Sequence, residues 1–283
     1  VSMPTLLVSS YGASRIDAFP ADATGNIAPT YTITGALTTL ASPRGIVVDN
    51  EEIFVADQGN AAIDVFKIDA TGNVAPLRQI KGALTTLGPA SQLYVTDTEI
   101  YVADQSAKVA VFPRDATGNV APTRSIAPTG LTGSLGVAVY KDELYVSSYT
   151  QSIVYVVPAN STGTIAPTRM LSGPTSLLSG PQSIHVFNDE LFVANEGNAL
   201  TVYDPKFSTP VPYRRIAGAT TNTSYVDELA RLGDRVYSAN YNNSSVQVFD
   251  IAASGDAAPL ASLTGATTKI NGTLGLTIMG VDE

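Results

Sequence analysis

One eight-residue motif recurs along the whole chain and limits the folds that the chain can adopt. It reads DATGNVAP at 69–76 and again at 115–122, and DATGNIAP at 22–29. Weaker copies are NSTGTIAP at 160–167, PKFSTPVP at 205–212 and AASGDAAP at 252–259, so the closing prolines stand 47, 46, 45, 45 and 47 residues apart. A period of this length is typical of small units that bury their faces against one another, and it predicts a single domain over residues 1–283.

One repeat predicts four antiparallel strands. In segment 45–82 the runs GIVVD, EIFVAD and AIDVFKI are short, rich in Val, Ile and Phe, and bounded by turn-forming residues, and the run PLRQIKG follows the motif. We therefore predict that DATGN is the turn between strands three and four, with Gly72 at a positive φ angle, Asn73 in a turn conformation and the proline on an outermost strand. A cation loop is the weaker interpretation, because calcium usually needs about six oxygens.

Six such units predict an all-β fold, a six-bladed β-propeller with four antiparallel strands in each blade. The run LGLTIMG at 274–280 has the pattern of a first strand without followers, and 4–35 has the pattern of strands two to four without a first strand. Joined, the N- and C-terminal segments would form a sixth blade that closes the ring. The predicted blades are 45–82, 91–128, 135–173, 182–218, 226–265, and 274–283 joined with 4–35.

Composition narrows the classes of partner. A net charge of -9 opposes binding to nucleic acid or to anionic lipid, and no apolar run approaches the roughly 20 residues that membrane insertion needs. Cysteine is absent, which excludes disulfides and thiolate metal sites. Charged residues make up only 14% of the chain, which favours an extracytoplasmic protein, whether periplasmic, secreted or on the cell surface, with any leader peptide absent from this sequence.

Segment 42–66, SPRGIVVDNEEIFVADQGNAAIDVF, resembles the NHL repeat. It has a Pro and a Gly before the first strand, an Asp after it, Val-Ala-Asp at the end of the second strand and Val-Phe at the end of the third. The resemblance is fair in blade two and partial in blades three to five. It implies a six-bladed propeller of the NHL-like or TolB-like kind, and it implies no single activity, because such folds host lyases, lactonases, protein binders and nucleic-acid binders.

The loop after strand two is the first place to expect a ligand. Strand two ends in short oxygen-bearing residues that we expect to hydrogen-bond their own blade's turns: Ser10, Asp57, Asp104, Ser148, Asn195 and Asn240. The next residue is Tyr11, Tyr149 or Tyr241 in blades six, three and five. We predict a tyrosine rim for a sugar, a peptide or a protein, the alternative being scattered exposed tyrosines.

Departures from the repeat predict a second candidate site in the axial channel. Arg231 replaces the Val or Ile of strand one in the other blades, and His185, the only histidine, lies on the first strand of the neighbouring blade. A buried guanidinium needs a partner, and Asp227 and Glu228 lie just upstream. These four residues would form a polar channel site for an anionic or hydroxylated ligand, with His185 as a proton shuttle. The alternative is a structural salt bridge and a core histidine.

These patterns favour a non-catalytic, monomeric binding or interaction propeller with a protein or glycan partner, no cofactor and no catalytic residue. One alternative is a calcium-dependent lactonase or esterase-like hydrolase with a channel cation held by Asp57, Asn195, Glu228 and Asn240. A structural surface or matrix component is a second alternative. A zinc lyase that needs several histidines is disfavoured by the single histidine, and serine chemistry by the lack of a Gly-x-Ser-x-Gly turn.

Overall fold

The computed structural model describes residues 4–280 and arranges them in six blades of four antiparallel strands, one of which gains a fifth, parallel strand from its neighbour, and this confirms the six-bladed β-propeller. Residues 281–283 of the predicted sixth blade lie outside the described residues. No helix among residues 4–280 is long and apolar enough to span a membrane.

The strands follow the repeat. The first twelve are β1 (Thr5–Ser10), β2 (Arg15–Pro20), β3 (Tyr31–Ile33), β4 (Pro43–Asp49), β5 (Glu52–Asp57), β6 (Ala62–Lys67), β7 (Arg78–Ile80), β8 (Ala90–Val95), β9 (Glu99–Asp104), β10 (Lys108–Pro113), β11 (Arg124–Pro128) and β12 (Ser134–Tyr140). The others are β13 (Glu143–Ser148), β14 (Ile153–Pro158), β15 (Gly163–Ile165), β16 (Arg169–Leu171), β17 (Pro181–Phe187), β18 (Glu190–Asn195), β19 (Ala199–Tyr203), β20 (Arg214–Ile216), β21 (Val226–Leu232), β22 (Arg235–Asn240), β23 (Ser245–Asp250), β24 (Ala261–Leu263) and β25 (Thr273–Met279).

The blades follow one another around the ring. Blades one and two consist of β4–β7 and β8–β11, blade three of β12, β13, β14 and β16, and blades four and five of β17–β20 and β21–β24. Single 3₁₀ turns occupy Tyr11–Ala13, Ala36–Thr38, Gln58–Asn60, Ala83–Thr85, Pro174–Ser176, Ala219–Thr221 and Ala266–Thr268.

Blade six closes the ring with strands from both ends of the chain. Its order is β25, β1, β2 and β3, and β25 runs antiparallel to β1 with Ile278 opposite Leu6. This pairing confirms the predicted closure. Because β25 is the strand of its blade nearest the axis, the C-terminal segment is held on one side by β1 and on the other by the first strands of the neighbouring blades.

The apolar core lies between blades. Each cluster joins the facing surfaces of two adjacent sheets, as where Phe54 and Ile63 of blade one pack with Val102 and Phe112 of blade two. These four side chains are fully buried. The alternation of apolar residues along each strand supplies one face to each neighbour, so no blade buries both of its faces alone.

A repeated ion pair ties the fourth strand to the second. Arg78 at the start of β7 makes a two-pronged contact with the Glu52 carboxylate, and its guanidinium lies 5.6 Å from the centre of the Phe54 ring. The same pairing recurs as Arg124 with Glu99, Arg169 with Glu143 and Arg214 with Glu190. These guanidiniums hold the pKa values of Glu52, Glu99 and Glu143 below the usual range.

The repeated octapeptide is a connection between blades as well as a turn. Gly72 donates its N–H to the Thr32 carbonyl of blade six (2.6 Å) and accepts from the Thr34 N–H (3.0 Å), while Asn73 Oδ1 accepts from the Leu37 N–H (2.8 Å). We call these three hydrogen bonds a latch. Latches on other outer strands are made by Gly118 with Asn119, Gly255 with Asp256 and Gly25 with Asn26.

The latch corrects the sequence-based interpretation of the motif in two respects. DATGN does connect strands three and four, but its repeated Gly and Asn also hydrogen-bond the preceding blade, about 35 residues upstream in the chain. The prediction that the following proline lies on the outermost strand is wrong, because Pro76 precedes β7. In blade three the same segment extends into β15, which pairs in parallel with β11.

Candidate functional site

The axial channel is lined by the first strand of every blade. A register shift after the first residue of these strands turns two successive side chains toward the axis, as between Pro43 and Ile46 in β4. The upper layer consists of Arg44, Ser91, Leu135, Gln182, Asp227 and Leu274. The layer below consists of three glycines and three polar residues, namely Gly45, Gln92, Gly136, Ser183, Glu228 and Gly275.

A buried ion pair fills the upper layer. Arg44 Nη2 donates to Asp227 Oδ2 and to Gln182 Oε1, each at 2.7 Å, and the three residues are between 1% and 7% exposed. Burial raises the pKa of Asp227 to about 7, against the opposing charge of Arg44. Three blades, one, four and five, are thereby joined across the axis.

A second polar cluster lies below the ion pair. His185 Nε2 is 2.5 Å from Glu228 Oε1 and 2.9 Å from Gln92 Nε2. One ring nitrogen cannot both donate to the carboxylate and accept from the amide, so the shorter contact assigns an N–H at Nε2 that donates to Glu228. Gln92 Oε1 accepts from the Val137 N–H (2.8 Å) and the Ile184 N–H (3.1 Å), which fixes the amide orientation.

Glycine allows the first strands to approach closely enough to close the channel. A Cβ atom on Gly45 would lie 2.5 Å from the Ser91 carbonyl, and on Gly136 and Gly275 it would collide with the carbonyls of Gln182 and Arg44. The space left between the two layers does not admit a water molecule. A ligand at the upper end of the channel therefore cannot reach His185 without displacing the Arg44–Asp227 pair.

The structure brings three of the four predicted channel residues together. His185, Asp227 and Glu228 belong to the network, but Arg231 does not: it is half-buried and its Nε donates to the Gly233 carbonyl in its own turn (2.9 Å). Asp227 is paired instead with Arg44, which the sequence interpretation missed. The residue types carried part of the signal, because in the aligned repeats Arg44 and Gln182 share the column of Asp227, and Gln92 shares the column of Glu228.

The four residues predicted to hold a cation are not arranged as one ligand set. Asp57, Asn195 and Asn240 are fully buried, and each accepts a hydrogen bond from a backbone N–H 16 residues upstream, while Glu228 lies in the channel. This is the turn-satisfying arrangement expected of the strand-two ends. Within residues 4–280 no three His, Asp or Glu side chains converge as a metal site.

The mouth of the channel on the strand-two side carries a cluster of tyrosines. Tyr11 and Tyr241 meet edge to face at 6.3 Å between ring centres, and Tyr225 lies 5.4 Å from Tyr241. All three are half-buried. The Tyr241 ring covers Gly272, where a Cβ would lie 2.8 Å from the ring, and the Tyr149 ring covers Gly133 in the same way. We call Tyr11, Tyr149, Tyr225 and Tyr241 the tyrosine mouth.

The sequence analysis did not predict Tyr225, because this residue precedes a first strand and the predicted rim consisted of residues that follow second strands. Its N–H donates to Asn198 Oδ1 (2.7 Å) and its carbonyl accepts from the Tyr241 N–H (3.0 Å). Burial, together with the charge of Asp227 below it, raises the pKa of Tyr225 to about 12. The phenol therefore remains a neutral hydrogen-bonding group at any physiological pH.

The arrangement is suited to recognition. Tyrosine offers an apolar ring and a polar tip at low entropic cost, and Glu196 places an exposed carboxylate beside the rings. The rings lie above a closed polar layer, so a ligand would contact the face of the propeller and would not enter the channel.

The closed ring of six sheets defines a six-bladed β-propeller. No family model matches the chain, and no curated protein matches it. Among solved structures the chain is similar to one in a nidogen/laminin complex, with a TM-score of 0.74, 14% identity and 99% coverage of both chains. It is also similar to a functionally unknown protein from Desulfotomaculum acetoxidans, with a TM-score of 0.66, 12% identity, and coverage of 99% of this chain and 100% of the other. At these identities the likeness shows the fold alone.

Proposed function

We propose that this chain is a non-catalytic, extracytoplasmic binding scaffold of the NHL-like kind, and that it binds a protein or glycan at the tyrosine mouth. The observation that carries the proposal is the packing of Tyr11 and Tyr225 against Tyr241, at 6.3 Å and 5.4 Å between ring centres, above a closed channel. Aromatic side chains dominate the energetics of protein and sugar recognition surfaces. A structural neighbour that occurs in a protein complex is compatible with this role.

Removing two rings from the mouth tests the proposal. The double variant Tyr225→Ser with Tyr241→Ser is compared with Tyr213→Ser, which removes a tyrosine that is 59% exposed at an outer strand. The wild-type protein and both variants are applied to a glycan array and to cross-linking with extracellular proteins of the source cells. We expect the affinity of the double variant for any ligand that the wild type binds to fall at least tenfold, because each ring that becomes buried on binding contributes more than about 1 kcal/mol.

A ligand whose affinity is unchanged in the double variant would refute the mouth as the binding surface. The calcium-dependent hydrolase is tested separately, by metal analysis of the purified protein and by thermal unfolding with calcium and with EDTA. A stoichiometric calcium whose removal lowers the melting temperature would replace the binding proposal with that alternative. We further propose that the chain is a monomer, which light scattering on a sizing column measures directly.

A further inference from the structure

Within residues 4–280, the outer edge of blade three is the one outer edge that no neighbouring segment covers. Blades one, four, five and six each carry a latch on the outer strand, and β15 covers the outer strand of blade two. The corresponding strand of blade three is β16. Blade four should supply its latch, but loop 205–212 reads PKFSTPVP, with Ser208 and Thr209 where the four latching copies have Gly followed by Asn or Asp.

The loop of blade four is held in another conformation by its own contacts. The Asp204 carboxylate accepts hydrogen bonds from the Lys206 N–H (3.0 Å) and the Ser208 hydroxyl (2.5 Å). Phe207, at a φ of 54°, packs edge to face on buried Tyr145 with 6.1 Å between ring centres. These contacts give the loop a turn of its own in place of the extended Gly–Asx segment.

The backbone groups that a latch would use are left open on blade three. They are the Met170 carbonyl, the Ser172 N–H and the Thr175 N–H, which correspond to Thr32, Thr34 and Leu37 beside the latch of Gly72. No described residue forms a hydrogen bond with any of the three. Unpaired strand edges are natural templates for another chain.

The seat for the Asn or Asp side chain is also empty. In the four latched blades a Cβ atom on the glycine after the outer strand would collide with the latching side chain, as Gly35 would with Asn73. A Cβ atom on the equivalent Gly173 meets nothing within 4 Å. The side chain at the centre of the strand differs as well: Met170 is 50% exposed where the latched strands carry Thr32, Gln79, Arg215 and Ser262.

We infer that the open edge of blade three binds an extended segment of another protein that carries Gly followed by Asn or Asp. The glycine N–H donates to the Met170 carbonyl, the Ser172 N–H donates to the glycine carbonyl, and the Thr175 N–H donates to the Asx side-chain oxygen. The occupant is argued from the chain itself, which uses this dipeptide at the same three backbone groups on four other blades. Exposed Met170 adds an apolar contact that those blades lack. The interaction is strand addition, with specificity from one side-chain seat.

The chain's own motif, supplied as a peptide, tests this inference. An acetylated and amidated peptide DATGNVAP is titrated into the ¹⁵N-labelled protein. We expect a Kd of about 1 mM, because only a few hydrogen bonds hold the peptide. The amide signals of Ser172 and Thr175 should move downfield. A peptide with proline in place of glycine should not bind, since it lacks the N–H for Met170, and one with alanine in place of asparagine should bind about fivefold more weakly. Absence of shifts at these amides, or equal shifts with the proline peptide, would overturn the inference.

A loop exchange provides the control on the protein. Replacing 204–212 by the sequence of 67–76 should form the missing latch within the chain and abolish peptide binding. In the wild-type protein the amides of Ser172 and Thr175 should exchange with solvent at least about tenfold faster than those of Thr34 and Leu37. Equal protection at all four amides would show that the edge is already covered. Protection that appears only with rising protein concentration would assign the edge to a second copy of the chain and overturn the inference. If the exchanged chain does not fold, the three-peptide comparison still decides.

Discussion

The buried pair of Arg44 and Asp227 gives the sharpest test of the channel. In the variant Arg44→Leu the carboxylate loses the guanidinium at 2.7 Å while remaining about 2% exposed. Breaking a buried ion pair from one side costs about 3–5 kcal/mol, because the other charge stays in a place that water cannot reach. We expect a loss of this size in the free energy of unfolding at pH 8.

The loss should depend on pH. With Arg44 present the pKa of Asp227 is already raised to about 7, above the ordinary value of 3.8, so the contribution of Asp227 to stability is fully present below about pH 4 and is lost as the pH rises through 7. Without Arg44 the pKa rises further, and each further unit costs about 1.4 kcal/mol at pH values above it. The difference in the free energy of unfolding between the wild type and the variant, which we call the gap, should therefore be smaller at pH 5 than at pH 8.

Urea unfolding at pH 5 and pH 8 measures both effects, followed by circular dichroism and by tyrosine fluorescence, since the chain has no tryptophan. On the Asp227→Asn background, Arg44→Leu should change the free energy of unfolding by the same amount at pH 5 and at pH 8, because the amide does not ionise. The matched control is Arg231→Leu, an arginine on a first strand that hydrogen-bonds only its own turn, with an expected change within about 0.5 kcal/mol. A loss below about 1 kcal/mol for Arg44→Leu at pH 8, or a gap that is equal at the two pH values, would refute the description of the channel as a paired, closed layer.

Three further predictions concern the rest of the fold. Burial, with the charge of Asp57 nearby, raises the pKa of Asp64 to about 7, so the wild type should lose stability between pH 5 and pH 8. Asp64→Asn should reduce this loss, as measured by urea midpoints, and an equal loss in the variant would contradict the prediction. Asn73→Ala should cost about 1 kcal/mol by thermal unfolding through the lost bond to Leu37, whereas Asn242→Ala, on an exposed turn, should be neutral. Deleting 273–283 should abolish cooperative unfolding by calorimetry, because it removes β25 from blade six; a truncated chain that melts like the wild type would show that this closure is dispensable.

The fold could be predicted because the sequence contains six copies of the same structural unit. Strand runs, turns and the split sixth blade all follow from residues that are close in sequence, and averaging over copies removes local ambiguity. The latch could not be read in this way. Asn73 has a sufficient local role as a turn residue, and its partner, the Leu37 N–H, lies 36 residues upstream on another blade.

The channel shows a different limit. Arg231 drew attention because it replaces a valine, yet its position near the far end of β21 lets the guanidinium reach solvent and its own turn. Arg44 stands only one residue after the start of β4, where the register shift directs it to the axis. Which polar residue on a first strand becomes buried depends on where the strand bends, and the pattern of residue types does not encode that bend.

Regular repetition makes a departure from the repeat easier to interpret than an isolated feature would be. Four latches use the same backbone groups with nearly equal distances, 2.6–2.7 Å at the glycine N–H and 2.7–2.8 Å at the Asx oxygen, so they define what a filled edge requires. Blade three retains each of those groups and lacks only the segment that fills them. The loop of blade four is ordered by contacts of its own, the Asp204 turn and the packing of Phe207 on Tyr145. A stable alternative loop beside an intact but empty seat is the arrangement expected of a site kept available for another chain.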